Sequence, residues 1–136
     1  MIDVYDLKVD SDRRLSANFT VAEFACRDGS RPVFVDPALV QLLQALRDKG
    51  GRPLVITSAY RTVAHNTKVG GVANSQHLYG RAADIRMDGI PPQQLAEWAE
   101  ELMPDSGGIG VYPPKDGRAR GWVHVDVRPG KSRWKG

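Results

Sequence analysis

The chain of 136 residues fits one domain, and its 41% hydrophobic and 26% charged residues exclude a disordered chain or a fibre. The single cysteine, Cys26, excludes a framework of intrachain disulfides, and no apolar run approaches the roughly 18 residues that cross a bilayer. The net charge of +3 is a mild excess that favours approach to polyanions.

The first part of the chain predicts a polar segment and a short helix. Residues 1–15 are rich in aspartate, so we expect an N-terminal arm or edge strand, with the domain proper over residues 16–136. The arm has no apolar stretch, which is unlike a secretory signal peptide. Thr20 and Glu23 have the spacing of a capping box, which predicts a short helix that reaches Cys26.

A longer helix, a buried strand and a loop follow. Asp36 is a suitable N-cap, Pro37 suits the first turn, and leucines at helical spacing continue to the glycines at 50–51. The apolar run at 54–57 predicts a buried strand. Residues 60–80 are rich in Gly, Asn and Ser and predict a long ordered loop of the kind that carries function in compact domains.

Strands and a helix alternate in the rest of the chain. Residues 83–87 alternate as a strand, 91–102 predict a helix that two prolines open, and 108–112 and 122–127 predict two further strands. The mixed order indicates a small α+β domain with a central antiparallel sheet flanked by helices. For the basic side chains near the C-terminus we expect a solvated tail, with a polyanion-binding patch as the alternative.

Two of the three histidines have surroundings that indicate a metal site. His77 lies at the end of the predicted loop and Asp84 in the next strand, while His124 lies in the last strand with Trp122 and Asp126 on its face. If these strands are neighbours, two imidazoles and a carboxylate meet and leave one position of a tetrahedral zinc ion open, as in catalytic sites. Zinc in such a site activates water for attack on a carbonyl. A structural histidine in a strand is the alternative, because the spacing alone is a weak signal.

Five motifs occur in order between about Phe19 and Trp134. They are 57–61 (TSAYR), 69–72 (VGGV), 75–84 (SxHxxGxAxD), 108–113 (GIGVYP) and 123–128 (VHVDVR). Together they resemble the zinc D-Ala-D-Ala carboxypeptidase family of peptidoglycan peptidases. The resemblance implies an α+β fold shared with lysostaphin-type peptidases and the hedgehog signalling domain. It also implies a Zn2+ cofactor held by His77, Asp84 and His124.

The same resemblance suggests roles for two other residues, Arg61 and Ser75. Arg61 matches an arginine that faces the substrate, where it would stabilise an oxyanion or hold a peptide carboxylate; a surface arginine that caps a strand end is the alternative. Ser75 matches a serine that hydrogen-bonds substrate, with local bracing of the loop as the alternative. Trp122 either walls the cleft and stacks on substrate or belongs to the core.

The chain departs from the family pattern at the general base. Many members carry it just before the last histidine, as Glu-x-x-His, Asp-x-x-His or His-x-His. Here those positions hold Gly121 and Trp122, which cannot take a proton. Asp126 is a candidate, either as the base or as a residue that orients His124 or a substrate amine. A base from elsewhere, including His65, is a further alternative.

The sequence therefore predicts a zinc metallopeptidase that hydrolyses amide bonds in the stem peptide or cross-bridge of peptidoglycan, as a D,D-carboxypeptidase or an endopeptidase. A non-catalytic relative that binds metal or wall peptide is the first alternative, because the usual base is missing. A nucleic-acid-binding domain has only the basic charge in its favour, so we expect no nucleic-acid partner, and we expect a monomer without a membrane span. The absence of a signal peptide fits an endolysin of a phage or prophage, cytoplasmic until released, or a chain whose leader has been removed.

Overall fold

The computed structural model describes residues 1–136. Four short elements form the N-terminal part: β1 (Asp3–Asp6), α1 (Leu7–Asp10), α2 (Val21–Phe24) and β2 (Pro32–Val35). β1 pairs antiparallel with β2, with Asp3 opposite Val35. An edge strand is one of the two forms that the sequence predicts for this segment, and the boundary between arm and domain at residue 15 stays a prediction.

The capping box at α2 forms as predicted, but the helix is shorter than expected. The Glu23 carboxylate accepts a hydrogen bond from the Thr20 backbone N–H at 3.0 Å. Ala25 has an extended backbone, so the helix ends at Phe24 and Cys26 lies beyond it. The segment that carries Cys26 therefore belongs to the connection between α2 and β2.

The leucine-rich helix forms as predicted over α3 (Pro37–Gly50). The Asp36 carboxylate accepts a hydrogen bond from the Ala38 N–H at 2.9 Å, and Gly51 ends the helix in a left-handed conformation with φ of 66°. The buried face of α3 consists of Leu39, Val40, Leu42, Leu43 and Leu46. This face supplies much of the hydrophobic core.

The remaining strands form one five-stranded sheet: β3 (Val55–Ser58), β4 (Ala82–Arg86), β5 (Gly108–Tyr112), β6 (Trp122–Asp126) and β7 (Ser132–Lys135). The spatial order is β3-β4-β6-β5-β7, and all pairs are antiparallel except β5 with the edge strand β7, which are parallel. The predicted α+β architecture with a central, mainly antiparallel sheet is confirmed.

The register of β4 and β6 places two predicted site residues side by side. Asp84 lies directly opposite His124. Because side chains alternate between the two faces of a strand, their neighbours in both strands point the other way. These neighbours are completely buried in the core: Ala83, Ile85, Val123 and Val125. One face of the sheet therefore carries the core, and the other carries the polar residues.

The sequence predicts a loop over residues 60–80, but the structure has two short helices there: α4 (Val63–Lys68) and a 3-10 helix (Gln76–Tyr79). Each begins at a hydroxyl side chain. Thr62 Oγ1 accepts a hydrogen bond from the His65 N–H, and Ser75 Oγ accepts one from the His77 N–H, both at 3.2 Å. Hydrophobic periodicity does not reveal α4, because the only side chain that it buries is Asn66.

The C-terminal segment is the edge strand β7 and not the solvated tail that the sequence predicts. The Arg133 guanidinium pairs with the Glu100 carboxylate at 2.8 and 3.0 Å and also donates to the Gly107 carbonyl at 2.6 Å. Glu100 lies on α5 (Pro92–Leu102), which packs against α3, β5 and β6. No helix in the structure combines the length and apolar character that a membrane span requires.

Candidate metal centre and its cleft

His77, Asp84 and His124 converge on the face of the sheet opposite the core, where Asp84 and His124 occupy the middle of β4 and β6. Asp84 Oδ1 lies 3.3 Å from His77 Nε2 and 3.2 Å from His124 Nδ1. The residues are only 2%, 9% and 9% exposed, respectively. Ligand atoms on a tetrahedral zinc ion, with bonds of roughly 2.0–2.2 Å, are about 3.4 Å apart. The structure thus brings the three residues together at the spacing of a ligand set, and their role as ligands stays a prediction.

In each histidine, the nitrogen that points away from Asp84 contacts an acceptor. His77 Nδ1 lies 2.6 Å from the Ala59 carbonyl, and His124 Nε2 lies 2.7 Å from Asp126 Oδ2. A carbonyl or carboxylate only accepts, so these nitrogens carry the protons and, in neutral rings, bare nitrogens face Asp84. Two lone pairs and a carboxylate then converge and repel one another unless a cation lies among them. This donor set therefore fits a zinc ion.

The charges around the three residues also favour a cation. Burial raises the pKa of the Asp84 carboxyl, but hydrogen bonds with His124 and His77 outweigh burial and hold this pKa well below its ordinary value. Burial lowers the pKa of the His124 imidazole, but hydrogen bonds to Asp126 and Asp84 outweigh it and raise this pKa. The cluster attracts positive charge, which either a proton or a metal ion supplies.

Arg61 lies beside the cluster and lines the same cleft. Its Nη2 lies 3.2 Å from Asp84 Oδ2, its Nε donates to Ser58 Oγ at 3.1 Å, and its Nη1 donates to Asn66 Oδ1 at 3.2 Å. The side chain is 14% exposed, which is unlike a surface arginine that only caps a strand end. Three of the five guanidinium N–H groups are used, so two stay free to hold an anion in the cleft.

Asn66 supports Arg61 and was not identified from the sequence. The residue is 3% exposed, and its Nδ2 donates to the Val72 carbonyl at 2.9 Å while its Oδ1 accepts from Arg61. Gly71 completes the contact, because a side chain at this position would collide with the Asn66 amide. One amide thus fixes both Arg61 and the loop at 69–75 that borders the cleft. A buried Asn on a short helix gives no recognisable pattern in the sequence.

Asp126 lies behind His124 and does not line the cleft. Its residue exposure is 0%. Its carboxylate contacts His124 Nε2, accepts two hydrogen bonds from the Arg128 guanidinium at 2.7 Å and accepts one from the Gly108 N–H at 3.0 Å. Burial raises the pKa of Asp126, but the hydrogen bonds from His124 and Arg128 outweigh it and keep this pKa below its ordinary value. Because its acceptor sites are occupied, the geometry favours the orienting role over that of a base.

Ser75 and Trp122 both line the cleft. Ser75 Oγ accepts a hydrogen bond from the His77 N–H. This contact braces the loop locally, which is the alternative role that the sequence suggests for Ser75. Trp122 stacks on Tyr112, with ring centroids 4.8 Å apart and planes 9° from parallel. Trp134 from β7 lies 5.0 Å from the His124 ring and donates its Nε1 hydrogen to Tyr112 Oη at 2.8 Å. Tyr112, Trp122 and Trp134 form an aromatic wall that the sequence shows only in part, because it does not reveal β7.

The cleft between Arg61 and the aromatic wall has a volume of about 500 Å³. Asp84 is the only carboxylate that lines it, and His65 is not among its residues. Gly121 and Trp122, which lie three and two residues before His124, supply no proton acceptor, and Trp122 is held in its stack on Tyr112. The cleft therefore combines a candidate cation site, a fixed guanidinium and an aromatic surface.

Comparisons with known proteins identify relatives of this chain. A model of the Peptidase M15 family matches residues 17–126. The chain is 32% identical over 110 residues to a Haemophilus influenzae protein named "Probable peptidoglycan L,D-endopeptidase MepK", covering 75% of this chain and 55% of that protein. It is 46% identical over 44 residues to the zinc D-Ala-D-Ala carboxypeptidase of Streptomyces albus G, covering 32% of this chain and 17% of that protein. The matched regions thus span about half of the first relative and a small part of the second.

Proposed function

The chain belongs to the Peptidase M15 family, and on that premise we propose that it is a zinc-dependent peptidase of bacterial peptidoglycan. The proposed reaction is hydrolysis of an amide bond in the stem peptide or the cross-bridge. The observation that carries the proposal is the buried convergence of His77, Asp84 and His124 in a cleft that Arg61 also lines. The names of both relatives, a peptidoglycan endopeptidase and a zinc carboxypeptidase, support the same class of substrate.

In the proposed site, His77 Nε2, Asp84 Oδ1 and His124 Nδ1 hold the metal. Zinc in this ligand set supplies Lewis acidity, which polarises an amide carbonyl and makes water a nucleophile near neutral pH. The Ala59 carbonyl and Asp126 keep the two imidazoles in the tautomer and orientation that ligation needs. Asp126 is therefore a positioning residue in this proposal.

Arg61 and the aromatic wall bind and orient the peptide. The free N–H groups of Arg61 stabilise negative charge on the carbonyl oxygen as the amide is attacked, or hold a terminal carboxylate. Trp122 offers a flat apolar surface on the opposite side of the cleft. Ser75 holds the His77 backbone and borders the substrate path.

A second candidate function is binding of metal or wall peptide without cleavage. The observation in its favour is that Asp84 is the only carboxylate lining the cleft, and it already contacts both histidines and Arg61. Catalysis of amide hydrolysis usually gains about 100- to 10,000-fold from a general acid or base. A cleft without that group would bind its ligand and turn it over poorly.

The test is digestion of purified peptidoglycan by the full chain, with mass analysis of the released fragments. We expect the protein to release new fragments after it has been dialysed. It should release none after chelation, and added zinc should restore the release. Loss of a terminal residue identifies a carboxypeptidase, and separation of cross-linked or stem fragments identifies an endopeptidase. The His124→Ala variant, which lacks one ligand, is the matched control and should release nothing.

Binding of wall peptides without any new fragment, in protein that retains zinc, would instead establish the second candidate. Zinc bound with full occupancy by His124→Ala at the cleft would contradict the ligand set. Activity that resists chelation would contradict the metal-dependent reaction as a whole.

A further inference from the structure

A second group of metal-binding side chains lies outside the cleft. Cys26 follows α2, Asp28 lies two residues later, and His65 lies on α4. One potential ligand atom from each residue lies within 4.8 Å of the other two. None of the three lines the cleft. We propose that Cys26, Asp28 and His65 bind a second metal ion of the zinc class, which links the segment at 26–28 to α4.

Thr62 holds these three residues together. Its Oγ1 donates to Asp28 Oδ2 at 2.8 Å and accepts the His65 N–H at 3.2 Å, and its own backbone N–H points to Cys26 Sγ at 3.5 Å. The residues come from two segments that are far apart in the chain, so local sequence does not explain their convergence. Thr62 therefore joins the segment at 26–28 to the start of α4.

The burial of the group matches a site at the edge of the domain. Cys26 is 3% exposed, His65 is half-buried and Asp28 is exposed. The sulfur thus lies on the inner side, while the other two ligands lie closer to the surface. Ligand atoms around zinc are about 3.3 to 3.8 Å apart, so no pair in the group needs to close by more than about 1.5 Å on binding.

The ligand types define the class of ion. A thiolate and an imidazole select zinc and related transition metals, whereas magnesium and calcium prefer oxygen ligands alone. Cys26 is the only cysteine of the chain, so it has no disulfide partner within it. A metal bound here would connect the segment at 26–28 to α4, which begins directly after Arg61 and Thr62 and carries Asn66. The second ion would therefore stabilise the part of the chain that presents Arg61 to the cleft.

The experiment is titration of the metal-free full chain with cobalt(II), followed by near-ultraviolet absorption. A cobalt–thiolate bond gives a charge-transfer absorption, and in this chain it can arise only from Cys26. We expect this absorption in the wild type, and we expect two cobalt ions per chain in total. The Cys26→Ser and His65→Ala variants should each lose the absorption and one of the two ions.

The His124→Ala variant is the matched control, because it removes a ligand of the cleft and leaves the second group intact. It should retain the thiolate absorption and also bind one ion, so failure of the cleft site and failure of the second site give different results. His65→Ala keeps the buried cysteine and changes a half-buried residue, so it tests the site even if Cys26→Ser does not fold. Absence of the absorption in the wild type, or its persistence in His65→Ala, would overturn the proposal.

Discussion

The two sides of the cleft are held in place by different interactions. On one side, Arg61 is fixed by hydrogen bonds to Ser58 and Asn66 and by its contact with Asp84. On the other side, the aromatic wall of Tyr112, Trp122 and Trp134 is fixed by stacking, with one hydrogen bond between rings. The first side presents a positive charge in a fixed orientation, and the second presents an apolar surface. We therefore expect changes on the arginine side to affect the reaction step and changes on the aromatic side to affect binding.

The largest effect should follow Arg61→Ala. If the guanidinium stabilises the oxyanion, its loss should lower turnover of wall peptide by roughly 100-fold or more, as removal of one oxyanion donor does. Zinc content, measured by metal analysis, should stay unchanged. Arg52→Ala is the control, because Arg52 is exposed and donates only to the Asp88 carbonyl. Turnover close to that of the wild type in Arg61→Ala would remove the distinction between the two sides.

Asp126→Asn should have the next largest effect and tests the support behind His124. An amide keeps the size but cannot provide two anionic acceptors for His124 and Arg128. We expect zinc affinity to fall by roughly 10- to 100-fold, which a titration with a competing chelator measures. Normal zinc affinity with turnover reduced by about 100- to 10,000-fold would show instead that Asp126 is the general base.

Asn66→Ala tests whether Arg61 depends on its neighbour. Loss of one hydrogen bond to a charged group costs roughly 1.5 kcal/mol, so kcat should fall by about 10-fold with little change in KM. Asn66→Asp is the informative companion, because it keeps the acceptor for Arg61 and loses the donor to the Val72 carbonyl. We expect Asn66→Asp to recover part of kcat. Equal loss in both variants would indicate that Asn66 supports only the loop at 69–75.

Trp122→Ala should have the smallest effect and should act on binding. An aromatic pair contributes roughly 0.5–1.5 kcal/mol, so KM for wall peptide should rise by about 3- to 10-fold while kcat changes little. Trp122→Phe keeps a ring to stack on Tyr112 and should lie close to the wild type. A large fall in kcat for Trp122→Ala would mean that the aromatic wall also takes part in the reaction step.

The cluster of His77, Asp84 and His124 differs from the group of Cys26, Asp28 and His65 in how firmly its ligands are held. The nitrogens of His77 and His124 that face away from Asp84 are held by the Ala59 carbonyl and by Asp126. By comparison, Asp28 is exposed and His65 is half-buried on a six-residue helix. A prearranged site pays less to order its ligands, so we expect the cleft to bind zinc more tightly than the second group.

The sequence alone determined the parts of the molecule that depend on local periodicity and caps. The leucine spacing and Asp36 predict α3, the alternation around Asp84 predicts β4, and the five ordered motifs indicate the family. These features were accessible because each depends on residues within one or two turns or along a single strand. The same short motifs contain His77, Asp84 and His124. The sequence therefore identifies the candidate ligands, and the structure shows that they converge.

Only the tertiary structure decided the relations between distant segments. The parallel pairing of β7 with β5 places Trp134 beside His124. The fold also places Asn66 behind Arg61, closes off Asp126 from the cleft and brings Cys26 to His65. Each of these contacts depends on strand register or on packing between segments that are remote in sequence. Neither register nor packing produces a periodic pattern in the sequence. The physical reason is that burial and long-range contacts, rather than local propensity, determine which polar groups face each other.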